Sequence, residues 1–162
     1  MGREYIRVGY NRCIIIAKRV VDSAVPGRGK IVNNSPEATD WRQLREFAAV
    51  DLSRSFILSW HVESETLFVD IDLFLTPEHP FFEKPRPAEK VCIRPAFIEF
   101  PYCEELGLDG STGGDLYETA VGLDHGSIEG FRRHADGRYE ISGEFGNVFV
   151  NSERPLLRLK GP

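Results

Sequence analysis

Ser55-Phe-Ile-Leu-Ser-Trp-His-Val-Glu63, followed after a short polar turn by Leu67-Phe-Val-Asp-Ile-Asp-Leu-Phe-Leu75, decides the fold. In the first run Phe56, Leu58, Trp60 and Val62 alternate with Ser55, Ile57, Ser59, His61 and Glu63. In the second, Leu67, Val69, Ile71, Leu73 and Leu75 alternate with Phe68, Asp70, Asp72 and Phe74. A period of two puts every second side chain on one face of a strand, so both runs read as half-buried strands. A two-residue turn at Ser64-Glu65 sets Val62 opposite Leu67, Trp60 opposite Val69, Leu58 opposite Ile71 and Phe56 opposite Leu73. A slip of one residue would turn all four apolar pairs to the wrong face. The turn lacks the preferred Asn-Gly type of dipeptide, so the pattern alone carries the register.

The rest of the chain extends this hairpin into a sheet. Residues 12–21 are β-branched and read as a strand, with loops at residues 25–30 and 33–36. Between Asp40 and Val50 the pattern turns helical: Asp40 caps, Gln43 completes a capping box, and Trp41, Leu44 and Ala48 share a face. This is the principal helix, expected to pack on the hairpin with Trp41 and Trp60 buried. Six of the ten prolines lie between Pro77 and Pro101, so Thr76 to Pro87 reads as a long loop holding Phe81 and Phe82. Residues 89–101 look extended, with a bulge at Pro95 where the apolar phase moves from Val91 and Ile93 to Ile98 and Phe100. Ten of the fifteen glycines fall between Gly107 and Gly146. They begin in a loop around Asp109 to Gly114 and punctuate short strands at 127–134, 138–142, 145–151 and 156–159. A hairpin turn at Asp136-Gly137 sets Arg133 opposite Glu140. The fold class is α+β, mainly antiparallel sheet built of meanders and hairpins, with one principal helix near residues 40–50.

Composition bounds the function. The chain has 162 residues, 41% hydrophobic and 28% charged, with a net charge of −5. Its longest apolar run is the five residues Cys13 to Ala17, far short of the roughly 20 that span a bilayer. No signal-peptide pattern is present, and Ile6 breaks the myristoylation pattern. Three cysteines, Cys13, Cys92 and Cys103, make no C-x-x-C pair and read as apolar packers in a reducing compartment. The expected location is the cytoplasm.

Charge divides the chain in two. Residues 1–34 hold seven Lys and Arg against two acids, and residues 35–162 hold 13 against 23. The domain reading follows: a basic, β-rich N-terminal segment over 1–34, folded onto an acidic α+β domain over 35–162. The acidic body repels nucleic acid, leaving only residues 1–34 to favour it.

The search for chemistry returns little. The glycines from Gly107 to Gly114 lack G-K-[ST] and G-x-G-x-x-G, and Asp109 and Asp115 flank them, so a plain loop is the reading. The four histidines form no H-x-x-x-H or H-x-H pair, and Asp70 with Asp72 supplies only two carboxylates toward a hard cation. Neither a metal nor another cofactor is expected. Ser59, His61 and Asp70 cluster on the polar face of the hairpin, which admits a small hydrolase. That reading lacks a G-x-S-x-G elbow and oxyanion donors. No catalytic residue is assigned. The outer hairpin face mixes acids with apolar groups, and the proline-rich loop leaves its end. Phe68, Asp70, Asp72, Phe81 and Phe82 are therefore the candidate partner-binding residues.

The runs Leu123 to Phe131, Asp136 to Val150 and Pro155 to Leu159, following the Ser55–Leu75 hairpin and a strand like Val91 to Phe100, resemble small bacterial β-sheet proteins. Several of these look like immunity proteins of polymorphic toxin systems. The similarity spans residues 50–160; the proline-rich loop and the basic N-terminal strand depart from it. It implies a non-catalytic binding role and supplies no functional residue. The leading expectation is thus a module that binds another protein, plausibly a basic toxin or nuclease. The alternatives are the small hydrolase and a structural subunit that self-associates into a homo-oligomer through a free sheet edge.

Overall fold

The computed structural model describes residues 38–111 and 113–161. The expected segment 1–34 lies outside these residues. Among the described residues, nine strands form one antiparallel sheet: β1 (Thr39–Asp40), β2 (Val50–Glu63), β3 (Thr66–Leu75), β4 (Ile93–Phe100), β5 (Glu105–Leu108), β6 (Gly126–Arg133), β7 (Tyr139–Gly143), β8 (Gly146–Asn151) and β9 (Leu156–Leu159). Their order is β5-β8-β7-β6-β2-β3-β4-β9, with β1 beside β6. The α-helix α1 (Leu116–Gly122) follows the glycine-rich loop, capped by Asp115, whose side chain accepts from the Tyr117 N–H. The mainly antiparallel α+β class therefore stands.

The sheet curls on itself. Phe100 of β4 stacks on Phe131 of β6 with ring centroids 6.2 Å apart, although β2 and β3 lie between those strands in the sheet. Tyr139 lies edge-on to Phe100 at 5.7 Å, and Phe47 meets Phe131 edge-on at 4.8 Å. These four rings sit at the centre of one hydrophobic core, in the offset and edge-to-face geometries aromatic rings favour.

The bend originates in β2. Its buried residues are 50, 52, then 55, 57, then 60, 62, so the period of two slips by one residue twice. The slips coincide with register breaks between Asp51 and Phe56 and between Ile57 and Ser59. Each break is an irregularity of the bulge type, which adds twist and reverses the facing of the residues before it. At the first, the buried Ser55 hydroxyl donates to the Asp51 carbonyl (2.7 Å) and accepts from the Phe74 N–H (3.0 Å), replacing lost ladder bonds.

The hairpin expectation therefore holds for one half and fails for the other. Ser64 and Glu65 form the turn, both with positive φ, and Val62 pairs Leu67 and Trp60 pairs Val69. Beyond the bulge, Ile57 pairs Ile71 and Phe56 pairs Asp72. Ile57 is buried, while Phe56 and Leu58 face outward, 39% and 42% exposed.

Residues 41–47 are not the α-helix expected. They form two 3-10 turns, Trp41–Gln43 and Arg45–Phe47, hinged at an extended Leu44. The buried positions are Trp41, Leu44, Phe47 and Val50, a spacing of three that matches three residues per turn. Asp40 caps as expected, accepting from the Arg42 N–H at 2.9 Å, and Trp41 and Trp60 are both buried.

Two smaller expectations also change. β4 pairs β3 without a break from Ile93 to Phe100, so Pro95 makes no bulge; the phase needs no switch because Ile93 is 47% exposed. In the β6–β7 hairpin the Gly137 N–H bonds the His134 carbonyl, and the His134 N–H bonds that of Arg138. With Gly137 at φ 95° the loop has three residues rather than two, which sets Arg132 opposite Glu140 and Arg133 opposite Tyr139. Glycine is required at one crowded point of this half: a Cβ on Gly143 would lie 2.1 Å from the Ser127 carbonyl oxygen.

Candidate functional site

The outer face of β2, β3, β4 and β9 is where the candidate residues collect. Alternation along β3 sends Phe68, Asp70, Asp72 and Phe74 outward. Across the strands, Phe68 stands beside His61 and Glu99, Asp70 beside Ser59 and Phe97, and Asp72 beside Phe56 and Pro95. The His61 ring stacks on Phe68 (centroids 5.2 Å apart, planes 12° apart), and Phe97 meets Phe68 edge-on at 6.0 Å.

Charge on this face is unevenly compensated. Lys160 reaches Asp70 at 2.5 Å and lies 4.5 Å from the centre of the Phe97 ring, while Arg158 holds Glu99 at 2.8 Å. Asp72 has no ion pair among the described residues. The exposed side chains of Phe56, Leu58, Ile93 and Leu156 surround this half of the sheet.

The Ser59–His61–Asp70 cluster is present but differently connected than a nucleophilic triad. Ser59 Oγ lies 3.5 Å from Asp70 Oδ2, at the limit of a hydrogen bond, and His61 turns to Phe68 rather than bridging them. Asp70 Oδ1 is already paired with Lys160. Among the described residues no group of three His, Cys, Asp or Glu side chains converges as a metal site would need. Burial raises the Cys103 thiol to about 11, and its Sγ donates weakly to the Glu105 carbonyl at 3.7 Å, so this cysteine stays protonated at neutral pH.

The two loop phenylalanines part company. Phe82 packs against the core, whereas Phe81 is 60% exposed. Phe81 reaches the far side of Lys160, where both line a groove of about 570 Å³ between β9, the second 3-10 turn and the loop after β3. Phe68, Asp70 and Asp72 thus share one face, with Phe81 around its β9 end. Sequence reasoning missed Phe97 and Lys160, which join these residues, and it missed the groove. Lys160 comes from 90 positions along the chain from Asp70 and is placed by the Lys160 N–H bond to the Pro95 carbonyl, 2.9 Å.

Comparison with family models, curated proteins and solved structures gave no match to this chain. No helix among the described residues is long and apolar enough to cross a membrane.

Proposed function

We propose that this chain is a non-catalytic module that binds a basic protein through the outer face of β2, β3, β4 and β9. The observation that carries the reading is the exposed apolar set on this face, Phe56 and Ile93 near the uncompensated Asp72, with Leu58 and Leu156 farther along the strands. Large apolar side chains gathered on one sheet face mark an interaction surface, and an acidic surround selects a cationic partner and speeds its encounter. The described residues hold 13 Lys and Arg against 22 Asp and Glu, which extends the same bias over the whole body. Phe68, Asp70, Asp72 and Phe81 form the contact set, with Phe82 anchoring the loop that carries Phe81. Neutralising a basic toxin or nuclease in a bacterial cytoplasm is the narrower form of the proposal, resting on the resemblance of residues 50–160 to immunity proteins.

The test is co-purification with the protein encoded beside this gene, followed by titration at several salt concentrations. The expected result is a complex weakened by salt. Asp72→Lys should slow its association, and Leu58→Ser should speed its dissociation at least tenfold. No complex, or one indifferent to both substitutions, overturns the proposal. A sedimentation mass of twice 18.3 kDa for the protein alone would assign the face to self-association instead.

A further inference from the structure

The groove beside β9 has a chemistry opposite to the rest of the molecule. Among the described residues acids outnumber cations 22 to 13, yet the groove is lined by Arg45, Arg94, Arg158 and Lys160 against the single acid Glu46. Glu46 is already engaged, accepting from Arg154 at 2.5 Å. Arg158 and Lys160 are already paired with Glu99 and Asp70.

Arg45 and Arg94 are the cations left for a ligand. Arg45 is 88% exposed and only 4.0 Å from its nearest carboxylate oxygen, on Glu46. Arg94 is held from behind: its NH1 donates to the Phe81 carbonyl at 3.3 Å and stands 3.5 Å from Glu83, itself 79% exposed. A guanidinium so held keeps donors free for a planar oxyanion.

Beside Arg94 the lining is aromatic and carries a neutral donor. The Phe81 N–H donates to His79 Nδ1 at 3.1 Å, which leaves the ring proton on Nε2. Burial and the charge of Arg94 both hold the His79 pKa below its ordinary value, so the ring is neutral at pH 7. The Phe81 ring stands 6.0 Å from His79 and is 60% exposed, with Leu157 and Leu159 completing an apolar floor. A volume of about 570 Å³ falls in the size range of small-molecule sites.

From this arrangement we infer that the groove is a binding site for a small aromatic anion, an aryl carboxylate or aryl phosphate. Its charged group would lie between Arg45 and Arg94, and its ring against Phe81. The groove shares Phe81 with the proposed protein-binding face, and the two readings are tested apart: that face at Leu58 and Asp72, and the groove by the double substitution at Arg45 and Arg94.

The experiment is calorimetric titration of the full chain with phenyl phosphate, benzoate, inorganic phosphate and benzamidine. Phenyl phosphate or benzoate should bind, whichever is tighter naming the anion, and the cationic benzamidine should not. Arg45→Gln with Arg94→Gln should weaken aryl-anion binding at least tenfold. Phe81→Ala should weaken it about fivefold without changing inorganic phosphate. Circular dichroism of each variant separates loss of the site from loss of the fold. Failure of both aryl anions to bind below 10 mM, equal binding of benzamidine, or affinity that survives the double substitution overturns the inference. Binding of an aspartate-rich decapeptide in place of the aryl anions would do so too, and would assign the groove to a peptide.

Discussion

The two halves of the sheet place the same kinds of side chain on their outer faces and use them differently. On β6, β7 and β8 the outward row is Arg132, Glu140 and Phe149. Glu140 is buried, bonded by Arg132 at 2.6 Å with His134 3.7 Å away, and Phe149 is 7% exposed under His134 and Arg138. On β2, β3 and β4 the corresponding groups are Phe56, Phe68 and Asp72; His125 and His61 lie beside the two phenylalanines, but among the described residues no lysine or arginine lies across any of the three. An aromatic and a carboxylate on an outer face are therefore not a functional signal in themselves. Among the described residues the hairpin half leaves Asp72 without an ion partner and Phe56 39% exposed, where the terminal meander closes Glu140 and Phe149 with Arg132, His134 and Arg138 on and beside one tight loop.

The largest expected effect tests that contrast in stability. Phe149→Ala should cost about 3 kcal/mol, in the range for a buried phenylalanine, whereas Phe68→Ala, half-buried, should cost about 1 kcal/mol. Urea unfolding of both variants measures the difference. Equal costs would mean that the hairpin face is as well covered as the other, and the comparison would collapse.

Next in size is Glu140, where the contrast becomes pH-dependent. Burial raises its carboxyl, but the adjacent His134 and the charge and hydrogen bond of Arg132 outweigh this and hold the pKa below the ordinary value of 4.5. A carboxyl depressed on folding stabilises the native state above its unfolded pKa, and that contribution fades as pH falls through the folded one. Glu140→Gln should therefore cost about 1–2 kcal/mol at pH 7, the worth of a hydrogen bond to a charged group. The gap to the parent protein should close below about pH 4.5. Urea midpoints at pH 7, 5 and 3 measure it, and a gap that widens in acid would contradict the assignment.

How far these features were legible depends on whether the signal was local. Strand positions in the terminal meander were readable to within a residue because β-branched runs alternate with Asp-Gly and Gly-Glu-Phe-Gly breaks. The hairpin turn and the Trp60–Val69 pair were readable because alternation there continues to the tip. Leu58 was not, because Phe56, Leu58, Trp60 and Val62 keep an unbroken period of two while the backbone does not. The bulges bend β2 so that it pairs β3 on one side and β6 at Phe56 and Ile57 on the other. The 3-10 turns were misread because Ala48 suits an α-helical face, although Phe47 completes a period of three. Residues Leu116–Gly122 carried a readable cap in Asp115, with Leu116 and Ala120 four apart. The groove had no local signal at all: Arg45, His79, Arg94 and Lys160 meet only because β9 closes beside β4.

The smallest expected effect is the sharpest test of the open face. Leu58 occupies the bulge, its side chain 42% exposed beside the outward Ser59. A leucine covered by its own protein loses about 2–5 kcal/mol on truncation, whereas one at an uncovered surface changes stability by about 0.5 kcal/mol or less. Leu58→Ser should therefore shift the urea midpoint little, since serine keeps the extended backbone and a large part of the apolar area it removes is already in contact with water. A cost above about 2 kcal/mol would show that Leu58 is buried in the free protein, and the hairpin half would then be closed like the meander half. Held to a few tenths of a kcal/mol, the substitution separates the two uses of the sheet. Whatever binding it abolishes is then lost at the interface and not through the fold.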